Sequence, residues 1–253
     1  MVSRPLVMGV LNVTPDSFSD GGLWLDPTAA AAHARALVDE GADIIDVGGE
    51  STRPGAGRIP LEEELERTLP VVTALVSAGM TVSVDTMRAE VASRDCDVIL
   101  MHWRGHSHDM QARATYDDVT AEVVAELRAR VEDFASAGVA PDRLILDPGL
   151  GFAKTFEHNW RLVATLPDLL GLGHRVIVGT SRKGFLGAVG RTGRAPRPPL
   201  DRDVATAVTS AYLADAGVWA VRVHDVRSTV DALDVAEALR RSRERAGDGS
   251  ADR

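Results

Sequence analysis

Cysteine is almost missing from this chain: Cys96 stands alone in 253 residues. That excludes an internal disulfide and a cysteine-built metal site, and Cys96 itself reads as a small buried hydrophobe. Lysine is nearly as scarce. Of 28 basic side chains only Lys154 and Lys183 are lysines, against 26 arginines. Arginine's planar fork does not reproduce a compact ammonium with three rotatable hydrogens, so the two retained lysines are candidates for chemistry. No apolar run approaches the length of about 18 residues that a membrane span needs, and MVSRPLVMGV lacks a cleavable signal pattern. The expectation is a soluble cytoplasmic protein. A global positive field is absent too. The net charge of −9 offers nothing to nucleic acid or anionic lipid, so any anionic ligand must be held by a local site.

What is present is alternation. Short β-branched runs at Leu6–Val13, Asp43–Val47, Thr81–Val84, Asp97–Leu100, Arg143–Leu146, Arg175–Val178 and Trp219–Val223 read as strands. Segments of helical period follow at Pro27–Glu40, Leu61–Ala78, Asp117–Ala137, Glu157–Leu170, Asp203–Ala216 and Ser228–Arg241. Strands alternating with helices imply a parallel sheet with right-handed crossovers, here an α/β barrel of the (β/α)₈ type. We expect one barrel domain over residues 1–241 and a flexible polar tail over 242–253. The Pro-, Gly- and Arg-rich stretch 190–203 reads as an exposed loop. The strand count is seven where a closed barrel has eight. Between Asp85 and Asp97 lie only Thr86–Cys96, too few for the dozen or more residues of a parallel crossover. One βα unit of roughly 30 residues is short at that point.

Polar residues gather just after the strands, on the rim where such barrels build their sites. NVTPDSFSDGG (12–22) is long enough to fold over a site, or it is an ordinary βα loop. GGESTRPGAG (48–57) offers backbone amides, Ser51 and Thr52 hydroxyls and the Arg53 guanidinium, an inventory suited to a phosphate or pyrophosphate. Asp85 and Asp147 could be a helix cap and a turn former. Two aspartates on one rim with Lys183 can also grip an amino-substituted heterocycle, the carboxylates accepting N–H groups and the ammonium donating to a carbonyl or ring nitrogen. GTSRKGF puts Ser181, Arg182 and Lys183 at a helix start, where Ser181 could be a cap and where basic charge, opposing the dipole, is more often kept for a ligand than for stability. Arg222 and His224, two apart on a strand end, make either a cationic clamp for an anion or a barrel-end salt bridge. HWRGHSH (102–108) holds three histidines without a carboxylate at zinc-site spacing, and a solvated loop is the preferred reading.

Taken together, MGVLNVTPDSFSDGG, DVGGESTRPGA, TVSVDT, LMHW, LILDPGLGFAKT, VGTSRKGFLG and VRVHDV resemble the dihydropteroate synthase family, in order and over most of the chain. The resemblance implies a (β/α)₈ barrel, usually a homodimer. Its reaction joins 6-hydroxymethyl-7,8-dihydropterin pyrophosphate to p-aminobenzoate, with magnesium accompanying the pyrophosphate. It implies that Asn12 helps hold the metal and that Thr52 and Arg53 close over the diphosphate. Asp85 and Asp147 would grip the pterin edge, Met101 would pack on its ring and Lys183 would bond its polar face. Arg222 and His224 would clamp pyrophosphate, with Ser181 and Phe152 near the aminobenzoate. The family also has a further strand ending in Asn-Asp between the SVDT and LMH strands, and this chain does not. The other readings are a catalytically impaired pterin- or diphosphate-binding paralogue that partners an intact homologue, and the folate-binding domain of a methyltransferase. An unclosed barrel would leave two strand edges, which oligomerisation could cover.

Overall fold

The computed structural model describes residues 4–14, 26–50, 59–86, 96–105 and 109–248. The chain runs β1 (Leu6–Asn12), α1 (Pro27–Asp39), β2 (Ile44–Gly48), α2 (Leu61–Ser77), β3 (Val82–Asp85), β4 (Val98–Met101), α3 (Val119–Ser136) and β5 (Leu144–Asp147). It continues with α4 (Phe156–Ala164), α5 (Leu166–Leu170), β6 (Arg175–Val178), α6 (Gly184–Gly187), α7 (Asp203–Ala216), β7 (Ala220–Val223) and α8 (Val226–Asp248). Seven parallel strands form one curled sheet in the order β3-β2-β1-β7-β6-β5-β4. Each strand is wanted on both faces, which is why the sequence reads as continuous apolar runs. Outward side chains such as Val7, Leu11, Ile45, Val47, Leu144, Leu146 and Val221 pack with Ala34, Leu37, Leu75, Leu127 and Leu213 of the helices. Inward side chains Met8, Ile44, Ile145, Ile177 and Ala220 form a separate plug, with Leu6, Ile99 and Trp219 against it.

Among the described residues the sheet has the seven strands expected, with β3 and β4 as its two ends. The intervening residues 87–95 lie outside the described set. At the β4 edge the acceptors are occupied by a side chain. His102 donates its N–H to the Asp147 carbonyl at 2.8 Å, so residues 101 and 103 turn their backbone groups to the other side. There the Arg130 guanidinium, reaching from α3, donates to the Met101 and Trp103 carbonyls at 2.7 and 3.1 Å. A charged side chain across the exposed ladder is one of the ways proteins blunt an edge strand.

Four local expectations change. The helix expected over 157–170 is two helices, α4 and α5, that meet at Thr165, because Pro167 has no N–H and its ring would clash with a continuing turn. The last helix runs to Asp248, beyond the boundary expected at 241. Cys96 is exposed, not buried. It lies in the approach to β4, where its carbonyl accepts from Arg143 at 3.0 Å. His102, expected in a solvated loop, is fully buried beside Glu126 and Lys154. No helix among the described residues is long and apolar enough to cross a membrane.

Candidate functional site

The site follows from the two-residue period of the strands. One step along from Ile44, Ile145 and Ala220 of the plug come Asp46, Asp147 and Arg222, which therefore point into the same interior nearer the strands' C-terminal ends. They line a cavity of about 480 Å³ with Ser83, Asp85, Met101, Phe152 and Lys183. An apolar base carrying a charged layer is the arrangement expected of a small-molecule site.

Arg222 organises one half of that layer. Its Nε donates to Asp46 Oδ2 at 2.6 Å and its Nη2 to Asp85 Oδ2 at 3.0 Å. Asp46 is almost fully buried, and burial raises the Asp85 pKa while Arg222 pulls it back down and Asp46 pushes it up. Asp147 heads the other half. Its Oδ1 accepts from the Gly149 N–H at 2.7 Å, and its pKa is likewise raised by burial against the opposing pull of Lys183. Lys183 has its pKa lowered to about 8, chiefly by burial, with Asp147 countering. Its Nζ donates to the Leu150 carbonyl and lies 5.2 Å from the centre of the Phe152 ring. The interior can thus present carboxylate acceptors and an ammonium donor to one flat polar ligand.

The expected residues sort accordingly. Asp85, Met101, Asp147, Phe152, Lys183 and Arg222 share the cavity. Asn12 ends β1 beside Gly48, where a Cβ would come 3.3 Å from its Oδ1 and 4.0 Å from Asp85 Oδ2. Ser181 and His224 pair with each other, Oγ to Nδ1 at 2.9 Å, and the His224 N–H donates to the same hydroxyl at 3.1 Å. The loop 12–22 is described only to Thr14, and Thr52 and Arg53 lie outside the described residues. Arg182, expected to serve a ligand, instead makes a two-pronged pair with Asp203 at 2.8 and 2.9 Å. Asp46 was overlooked in the sequence. Its signal was an acid inside the otherwise apolar run IIDVG, at the parity of the inward-facing Ile44.

Comparison with known proteins now fixes the lineage. The family model described as pterin binding enzyme matches residues 8–96 and 91–224. Dihydropteroate synthase of Mycobacterium leprae is 49% identical over 263 residues, covering 92% of each chain. The chain belongs to the dihydropteroate synthase family. The solved Xanthomonas albilineans dihydropteroate synthase with 4-aminobenzoic acid superimposes with a TM-score of 0.84 at 42% identity and 94% coverage of both chains. The same enzyme in complex with 7,8-dihydropteroate gives 0.80 at 38% identity and 95% coverage of both. The shortened crossover marks these matches as well. The family match falls into two pieces that meet at residues 91–96. The alignment to the M. leprae member is longer than the stretch of this chain it covers by about 30 positions, the size of one βα unit. Among the described residues, this family member has a sheet of seven strands around the cavity.

Proposed function

We propose that this chain is a transferase of folate biosynthesis, condensing 6-hydroxymethyl-7,8-dihydropterin pyrophosphate with p-aminobenzoate to dihydropteroate and pyrophosphate. The observation that carries the reading is the buried layer of Asp46, Arg222, Asp85, Asp147 and Lys183 above an apolar plug, in a chain 49% identical to a dihydropteroate synthase. Asp85 and Asp147 accept N–H groups along the pterin edge, Lys183 donates to its polar face, and Met101 packs on its ring. Arg222 holds Asp46 and Asp85 apart in fixed positions, so the pterin meets preset acceptors. Arg222 and His224 are assigned to the departing pyrophosphate, with Thr52 and Arg53 closing over it. Phe152 and Ser181 flank the aminobenzoate.

The chemistry asks for positioning and charge neutralisation. The carbon–oxygen bond to pyrophosphate breaks, the dihydropterin delocalises the resulting cation, and the arylamine nitrogen forms the new bond before losing its proton. An arylamine is already neutral at pH 7, so no strong base is required. Magnesium fits one end of this site. Among the described residues no cluster of three metal-binding side chains exists, but magnesium is commonly held by one or two protein oxygens together with substrate phosphates. Asn12 Oδ1, in the side-chain-free space that Gly48 leaves, would hold it, and the ion would neutralise pyrophosphate charge.

The protein is assigned to the cytoplasm, where a chain with a single cysteine loses nothing to a reducing environment. A homodimer is assigned to the α7–α8 face. Val204, Val208 and Tyr212, one turn apart on α7, and Val235 and Leu239 on α8 are all exposed. The deciding assay is magnesium-dependent pyrophosphate release that requires both substrates and vanishes in Lys183→Ala. Pterin binding without release, from folded protein, would leave a binding partner of an intact homologue in place of an enzyme.

A further inference from the structure

Lys154 is the other retained lysine, and no step above uses it. It is buried, and its surroundings supply a complete set of donors and acceptors. The Nζ lies 2.9 Å from His102 Nδ1 and 3.0 Å from the Phe152 carbonyl. On the far side of the imidazole, Nε2 lies 3.0 Å from Glu126 Oε2. The assignment is unambiguous if the lysine is an ammonium and the histidine neutral. Nζ donates to Nδ1 and to the carbonyl, and the Nε2 hydrogen goes to the carboxylate. Burial and the Lys154 charge hold the His102 pKa down to about 3, in keeping with that neutral ring.

The segment this lysine secures is the loop between β5 and α4, which carries Phe152 into the cavity. Ala153 sits at φ 50, a left-handed conformation that a non-glycine residue holds only when its surroundings impose it. The imposing contacts are visible: Gln111 Nε2 to the Gly151 carbonyl at 3.0 Å, Tyr116 Oη to the Ala153 carbonyl at 3.0 Å, and the Gly151 N–H to Asn159 Oδ1 at 2.7 Å. Lys183 itself donates to the Leu150 carbonyl of this loop.

We propose that Lys154 is a positioning residue for the transfer reaction: its ammonium ties His102 at the end of β4 to the Phe152 carbonyl, and so sets the loop that places Phe152 and Leu150 against Lys183. This rests on the reading of the cavity given under the proposed function. Burial lowers the Lys154 pKa to about 7; of the charges that face it, Asp147 and Glu126 favour its ammonium, and Lys183 and Arg104 oppose it. Lys154 in turn lowers the pKa of His102 and Asp147.

The test is Lys154→Met, compared with the parent chain by amide hydrogen exchange without ligand and by steady-state kinetics. Exchange at residues 149–154 is expected to rise about tenfold or more while β5 and α7 stay unchanged, the loss of a charge-assisted hydrogen bond being of that size. The KM for p-aminobenzoate is expected to rise by about tenfold with kcat altered less than about threefold, one hydrogen bond's worth of placement. Unchanged loop exchange, or unchanged KM in a variant whose loop has loosened, overturns the proposal. Should Lys154→Met not fold, Lys154→Gln, which keeps a donor without the charge, carries the same readings at reduced size. Exchange is read without turnover. A parent chain that releases no pyrophosphate therefore defeats the proposed function and with it the role in transfer, while the loop measurement still decides whether Lys154 sets the β5–α4 loop.

Discussion

Replacing Arg222 with methionine tests whether the charge layer is held together as described. The substitution keeps most of the side-chain length but removes the guanidinium from two carboxylates, at 2.6 Å from Asp46 and 3.0 Å from Asp85. Asp46 is only 4% exposed, so it loses its cation inside the protein. Removing one partner of a buried pair destabilises by about 3–5 kcal/mol, and the partial exposure of Arg222 argues for the lower end, about 3 kcal/mol. The half-open Asp85 contact adds under about 1 kcal/mol. For a chain of this size the sum, about 3–4 kcal/mol, lowers Tm by about 6–16 °C. The sign with pH follows from Asp85. Its pKa is already raised and Arg222 is what pulls it down, so the variant's folded state holds that proton more tightly than the unfolded chain does. The deficit is therefore largest above that raised pKa and shrinks as pH falls through it. Urea denaturation of both proteins at pH 5 and pH 8 measures this directly. A loss below about 1 kcal/mol at pH 8, or an equal loss at both pH values, would refute the electrostatic account.

Three further outcomes follow from particular contacts. Lys183, lowered to about 8, loses its proton as pH rises through that value, so kcat/KM is expected to fall on an alkaline limb near pH 8, and a profile flat to pH 10 contradicts a charged donor. Gly149→Ala would place a Cβ 1.9 Å from the His102 carbonyl oxygen at a backbone φ of +65°, with only main chain to yield. Chemical denaturation should show a loss of about 3 kcal/mol or more, and a loss under about 1 kcal/mol would mean this loop is slack. Arg130→Met strips both donors from the β4 edge, with an expected loss of about 1.5–3 kcal/mol and concentration-dependent association in light scattering. A variant as stable and as monodisperse as its parent would show that the edge does not depend on Arg130.

Much of the molecule was legible in the sequence because the information is local. Two-sided burial writes each parallel strand as an apolar run, so all seven could be read directly, and the gap after Asp85 could be read from its length alone. Asp85, Asp147 and Lys183 were legible as rim residues because each closely follows or ends such a run, and Arg222 because it stands one residue before the end of one. The opposite holds for features made by contacts between distant segments. Asp46 is 176 residues from the arginine that neutralises it, and no sequence spacing signals that pair. Arg182 looked like ligand-binding charge until Asp203 met it 21 residues on. The capping of β4 by Arg130 depends on which way an edge strand turns its carbonyls, which is decided when β4 pairs with β5 on one side only. His102, Lys154 and Glu126 come from three separate elements and form one buried chain of hydrogen bonds only once α3 lies against β4 and β5. The kind of fold, its missing unit and most of the candidate residues follow from period and order along the chain. Which charges neutralise one another, and which are left to meet a ligand, is settled by the fold, because ion pairing depends on distance in space and on burial.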